Sequence, residues 1–107
     1  MKNETVPEIS KKEFNSEIKS GFVLVDFYAD WCMPCVMMSP ILDGLAQKFN
    51  GKVKFIKINI DDAQELAQKF NIVSIPNFIL FKDGKQVAQF IGAVSEEEFE
   101  KRLGKFV

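Results

Sequence analysis

Residues 22–35 read Phe22-Val23-Leu24-Val25-Asp26-Phe27-Tyr28-Ala29-Asp30-Trp31-Cys32-Met33-Pro34-Cys35. An apolar run of strand length is followed at once by the only two cysteines of the chain, three positions apart. Residues three apart share one face of a helix, so Cys32 and Cys35 can come close enough to close a disulfide. Making and breaking that bond is a two-electron switch. As a structural staple it would be weak, because closing so small a loop removes little entropy from the unfolded chain. The pair therefore points to redox chemistry, with two rival readings: small residues packed in a core, or half of a metal site. A tetrahedral zinc site needs four ligands, and with two cysteines and no histidine the rest would have to be carboxylates or a second protomer.

Outward from this stretch, the elements alternate. Ser10-Lys11-Lys12-Glu13 has capping-box spacing, with Phe14 and Ile18 following at i,i+4, which predicts a first helix near 10–20 ended by Gly21. Residues 22–28 and 53–60 are apolar runs of strand length. Between them Met37, Met38, Ile41, Leu42, Leu45 and Phe49 recur at helical spacing, and Asn50-Gly51 supplies a stop, which makes a βαβ unit with a long crossover helix. Pro40 inside that helix removes a donor and predicts a kink. Of the methionines, Met37 and Met38 read as gap-fillers in the core and Met33 as exposed. A further helix is expected near 62–70. Residues 77–81 and 86–91 flank Lys82-Asp83-Gly84-Lys85, a tight hairpin turn between antiparallel strands. Ser95 and Glu98 repeat the capping-box spacing, and Phe99, Leu103 and Phe106 continue one apolar face into a C-terminal helix.

The chain has 107 residues, is 47% hydrophobic and contains eleven phenylalanines, enough for one substantial core, so residues 1–107 are expected to be a single domain. Lysine plus arginine number 14 against 15 aspartates and glutamates, without long blocks of either sign, which argues against nucleic acid as a partner. Residues 1–8 hold no apolar core of signal-peptide length, and no run approaches the roughly 20 apolar residues of a membrane span. No membrane association and a cytoplasmic location are expected. In that reducing compartment a permanent disulfide is rare, whereas Cys-x-x-Cys beside a strand-helix-strand pattern reads as a redox motif.

A strand that delivers Cys32 to a helix N-terminus places its sulfur where unpaired N–H groups and the helix dipole favour the thiolate. Cys32 is then the attacking group, and Cys35, one turn inside, is expected to be more buried and less acidic. Pro34 suits the first helical turn, where its missing N–H would have had no partner. Asp26 interrupts the apolar strand. If the strand is central its pKa should rise and make it a proton carrier; equally, it could be a strand-end carboxylate that reaches solvent. Lys57, midway along the second strand, could pair with it or simply face water. Ser74-Ile75-Pro76-Asn77 reads as a turn before a strand, with a cis Ile75-Pro76 bond as the alternative.

Taken together, Val25 to Cys35, Pro40-Ile41-Leu42, Lys57-Ile58-Asn59-Ile60-Asp61, Ser74-Ile75-Pro76, Phe81-Lys82-Asp83-Gly84 and Ile91-Gly92-Ala93 resemble the thioredoxin family over essentially the whole chain. The resemblance implies a thioredoxin fold of class α/β: a three-layer α/β/α sandwich with a central mixed β-sheet and four flanking helices. It implies a general protein-disulfide reductase with Cys32 as nucleophile, Cys35 as resolving thiol, Asp26 as acid/base and Lys57 tuning Asp26. Trp31, Met33, Pro34, Ile75, Pro76, Gly92 and Ala93 would bind substrate, with Pro76 in cis. No cofactor or metal is bound on this reading; the Cys32-Cys35 disulfide is the redox centre, and a separate thioredoxin reductase supplies electrons. The partners implied are that reductase and disulfide-containing proteins, with the chain a monomer maintaining cytosolic redox balance. Four residues depart from the family's common pattern: Met33 for glycine, Val36 for a basic residue, Asn77 for threonine and Tyr28 for tryptophan. Val36 removes one source of thiolate stabilisation and makes the face around the dithiol more apolar.

Overall fold

A computed structural model describes residues 6–107, and the expectation about a leader, in so far as it rests on residues 1–5, lies outside them. Four strands, β1 (Phe22–Tyr28), β2 (Val53–Asn59), β3 (Asn77–Lys82) and β4 (Lys85–Ile91), form one sheet in the order β2-β1-β3-β4. β1 runs parallel to β2 and antiparallel to β3, and β3 is antiparallel to β4, so the sheet is mixed. The helices are α1 (Phe14–Ile18), α2 (Met33–Lys48), α3 (Gln64–Lys69) and α4 (Glu96–Leu103), with one 3-10 turn at Ile60–Asp62.

β1 is buried on both faces because helices cover both. Its period of two sends Leu24 toward α2 and α4, where it meets Met38, Leu42, Leu45, Phe78, Phe99 and Leu103. Val23, Val25 and Phe27 point the other way, into a core with Phe14, Ile18, Ile58, Ile79 and Phe81, against which Leu66 and Phe70 pack. These are the three layers. Asp26 alternates with Leu24 and so belongs to the α2 side of the sheet.

Local chemistry accounts for the edges of the elements. Asp83 and Gly84 both have positive φ, 51° and 85°, the conformation a two-residue hairpin turn requires. The Asp83 carboxylate also accepts the Gly21 N–H at 2.8 Å, which pins the hairpin to the start of β1. Ser95 caps α4, its hydroxyl accepting the Glu98 N–H at 3.1 Å; the Glu98 carboxylate pairs with Arg102 at 2.8 Å instead of returning to Ser95.

Several expectations need correction. The first helix is only Phe14–Ile18, because Ser10 and Glu13 close a turn ahead of it: the Ser10 N–H donates to the Glu13 carboxylate at 2.8 Å. β2 stops at Asn59, whose side chain accepts the Asp61 N–H at 2.9 Å and opens the 3-10 turn. Met37 is 68% exposed, so the core contact belongs to Met38 alone of that pair. α4 ends at Leu103, and Phe106, 44% exposed beyond it, reaches back to set its ring edge against Phe90 at 6.1 Å. One pairing has no counterpart in the sequence reading: Pro7–Ile9 runs parallel to β2 at its free edge, with Glu8 opposite Lys57.

Candidate active site

The C-terminal end of β1 leads through Ala29–Trp31 into α2, and this junction builds the site. Cys32 is the N-cap of α2, and the Cys35 N–H donates to its Sγ at 3.2 Å. That amide would otherwise be one of the unpaired donors at a helix start, so helix geometry itself supplies the group that stabilises charge on sulfur. Cys32 and Cys35 are joined by a disulfide, with Cα atoms 5.3 Å apart. Pro34 lies in the first turn, where it sacrifices no intrahelical bond. The expectation that Cys35 would be the more buried is not met: each cysteine residue is 5% exposed. Tyr28, Ile60 and Ile75 pack against the cluster that holds both.

Ile75 packs on the disulfide cluster, and the Ile75-Pro76 bond is cis. The Gly92 N–H donates to the Pro76 carbonyl at 2.9 Å, so Gly92 and Ala93 lie beside the Ile75-Pro76 loop. Gly92 has φ 91°, a conformation that favours glycine. Asn77, 1% exposed, ties the same loop down: its amide donates to the Ser74 carbonyl at 3.3 Å and its oxygen accepts from Gln89 at 2.9 Å. Around the dithiol Trp31, Met33, Val36 and Met37 are exposed, and residues 31–42 contain no charged side chain.

Asp26 stands opposite Lys57 in the β1–β2 register. It is 6% exposed and its Oδ1 has no hydrogen-bond partner among the described residues. Burial pushes its carboxyl from 3.8 up to about 7, against the opposing pull of the Lys57 charge. Asp26 and Lys57 are therefore brought together, on the sheet face that α2 covers.

Three contacts at the site were not singled out from the sequence. The Trp31 indole N–H donates to the Asp61 carboxylate at 3.0 Å, and Asn59 reaches Asp30 at 3.4 Å, so the active-site turn is tied to the end of β2. The Asn59-Ile60-Asp61 run after a strand carries the signal, an asparagine whose oxygen caps the amide two residues on. The Tyr28 hydroxyl donates to the Glu8 carboxylate, a contact spanning the N-terminal edge that no local pattern announces.

Fold and site together define a thiol-disulfide oxidoreductase that carries its redox centre in its own cysteines. The family model described as thioredoxin matches residues 5–105. The chain belongs to the thioredoxin family. Thioredoxin M4 of the Arabidopsis thaliana chloroplast is 42% identical over 104 residues, which is 95% of this chain and 54% of the Arabidopsis protein. The thioredoxin of Staphylococcus epidermidis is 38% identical over 100 residues, 94% of this chain and 96% of that one. Among solved structures, a chain from "Structural basis of the thiol resolving mechanism in yeast mitochondrial 1-Cys peroxiredoxin via glutathione/thioredoxin systems" superimposes with a TM-score of 0.85 at 32% identity, covering 95% of this chain and 96% of that one.

The chain is accordingly a thiol-disulfide reductase whose working group is the Cys-x-x-Cys disulfide and not a bound cofactor; the family in general acts on disulfide substrates and is recharged by a reductase. Among the described residues no group of three or more His, Cys, Asp or Glu could hold a metal ion, and no helix is long and apolar enough to cross a membrane.

Proposed function

We propose that this chain is a single-domain, monomeric, general protein-disulfide reductase serving cytoplasmic redox balance. The observation that carries the reading is the seat of Cys32 at the N-cap of α2, where the Cys35 amide faces its sulfur at 3.2 Å. In the reduced protein the Cys32 thiolate attacks one sulfur of a substrate disulfide, forming a mixed disulfide and expelling the other substrate sulfur as thiolate. The Cys35 thiol gives its proton to ionised Asp26, then attacks the Cys32 sulfur. The second substrate thiolate leaves, and Cys32-Cys35 is restored as a disulfide. A separate reductase returns two electrons. A carboxyl titrating near 7 suits that proton transfer, because both its forms are populated at working pH. Lys57 keeps the ionised form from being prohibitively costly.

Substrate docks as an extended segment against the backbone of Ile75 and Pro76, in the manner of strand addition, with Trp31, Met33, Pro34, Gly92 and Ala93 as the surrounding rim. A dithiol reductase needs a reducing compartment, which supports the cytoplasmic assignment. Replacing Cys35 with serine tests the mechanism. The variant should accumulate mixed disulfides with protein substrates through Cys32, detected as dithiothreitol-sensitive adducts; no adducts in Cys35→Ser, or adducts that form equally well through Cys35 in Cys32→Ser, contradict it.

A further inference from the structure

At the level of Lys57 three strands run side by side: Pro7–Ile9, β2 and β1. Glu8, Lys57 and Asp26 occupy one row across them, and residues in register on parallel strands point to the same face. In this row Lys57 is flanked by Glu8, exposed on the outer strand, and by Asp26, buried on β1. Tyr28, two residues beyond Asp26 on the same face, links the row. Its hydroxyl donates to the Glu8 carboxylate, and the Lys57 ammonium lies 5.5 Å from the centre of its ring. Burial first, then the hydrogen bond to Glu8, raises the phenol above its ordinary range, so Tyr28 stays a donor.

We propose that Glu8 is a positioning residue for the proton step at Asp26, anchoring Tyr28 and sharing the Lys57 ammonium with Asp26. This rests on the reading of Asp26 as proton acceptor for Cys35. When Asp26 is protonated, Glu8 gives the Lys57 ammonium an anionic neighbour; when Asp26 ionises, the same ammonium can turn toward it. Asp26 can then change charge in each cycle without either state leaving a cation unbalanced. The other groups around Asp26 do not offer this. Phe78, its partner on β3, is uncharged, Cys32 and Cys35 come from α2, and Asp30 follows β1 in the active-site turn with an exposed side chain. A negative charge at position 8 both competes for Lys57 and repels a second carboxylate, so its removal favours ionised Asp26.

The test is the titration of Asp26 followed by its carboxyl carbon-13 resonance in the full chain. In Glu8→Gln, which retains an acceptor for the Tyr28 hydroxyl, the midpoint should fall by about 0.5 pH unit, and in Glu8→Lys by about 1. Glu8→Asp, which keeps the charge, should stay near wild type. The corresponding limb of the pH-rate profile should move with the midpoint. Midpoints unchanged in both Glu8→Gln and Glu8→Lys overturn the proposal, as does a rise. A merely structural role would change unfolding stability without moving the titration. The resonance is read without substrate, so a failure here is separable from a failure of the reductase mechanism, which the Cys35→Ser adducts report.

Discussion

Asp26 and Lys57 face each other across the parallel β1–β2 pair, and the carboxyl is held up to about 7 because burial outweighs the lysine's attraction. The native state therefore prefers protonated Asp26 while the unfolded chain ionises it near 3.8. The stability associated with this group is fully present below about pH 4 and is lost as pH rises through about 7. A displacement of this size corresponds to roughly 4 kcal/mol. Asp26→Asn lacks that loss. Its unfolding free energy relative to wild type should increase from about pH 4 to about pH 7 by a few kcal/mol and then level off, as read from urea unfolding across that range. A difference independent of pH would contradict the burial argument.

Trp31 is held by its indole N–H on Asp61 at 3.0 Å. A hydrogen bond to a charged acceptor contributes about 1.5–3 kcal/mol in protected surroundings and less on an exposed rim. Asp61→Ala should release the ring, raising KM for a protein disulfide about three- to ten-fold with kcat changed less than about two-fold. The fluorescence of Trp31, the only tryptophan, should change when the neighbouring disulfide is reduced, and that change should be smaller in Asp61→Ala.

Val36 is exposed in the first turn of α2, and its N–H donates to the Cys32 carbonyl at 3.1 Å. A lysine there would put a cation close to the thiolate. Val36→Lys should lower the Cys32 thiol pKa by several tenths of a unit, measured as the pH dependence of alkylation. It should also shift preference away from disulfides flanked by basic residues. The cation lies at the unfavourable end of the helix dipole, so stability should fall by about 0.3–1 kcal/mol.

Phe14 contributes a fully buried ring from the short α1, in contact with Phe27, Phe70 and Phe81 at centroid separations of 6.4, 5.6 and 5.7 Å. Truncation to alanine should cost about 3–5 kcal/mol in equilibrium unfolding. Catalysis should persist in the fraction that remains folded, since Phe14 packs on the sheet face opposite α2.

The strands were the most legible part, because each carries its signal locally. Residues 22–28 form one apolar run directly after Gly21, and Asp83-Gly84 dictates the hairpin. The Cys32 N-cap was legible for the same reason: a strand running into a helix leaves few places for the first cysteine. Contacts between distant segments were not legible. Met37 shares the helical spacing of its neighbours, and spacing alone cannot say how wide the buried stripe is. Pairing of Glu8 beside Lys57 depends on which edge of the sheet is left open, a property of the assembled sheet. The position of Cys35 one turn inside the helix predicts more burial than Cys32 has, but Ile75, remote in sequence, packs on the same cluster as both. The roles of Asp26 and Lys57 needed topology, since only the register makes them partners.

The account stands most directly on Cys32 as the attacking sulfur. Reduction of a disulfide-containing model protein with dithiothreitol as electron source measures this, comparing wild type with Cys32→Ser. Wild type should accelerate the reaction in proportion to its concentration, and Cys32→Ser should leave it at the uncatalysed rate. Equal acceleration by the two proteins would contradict the central claim.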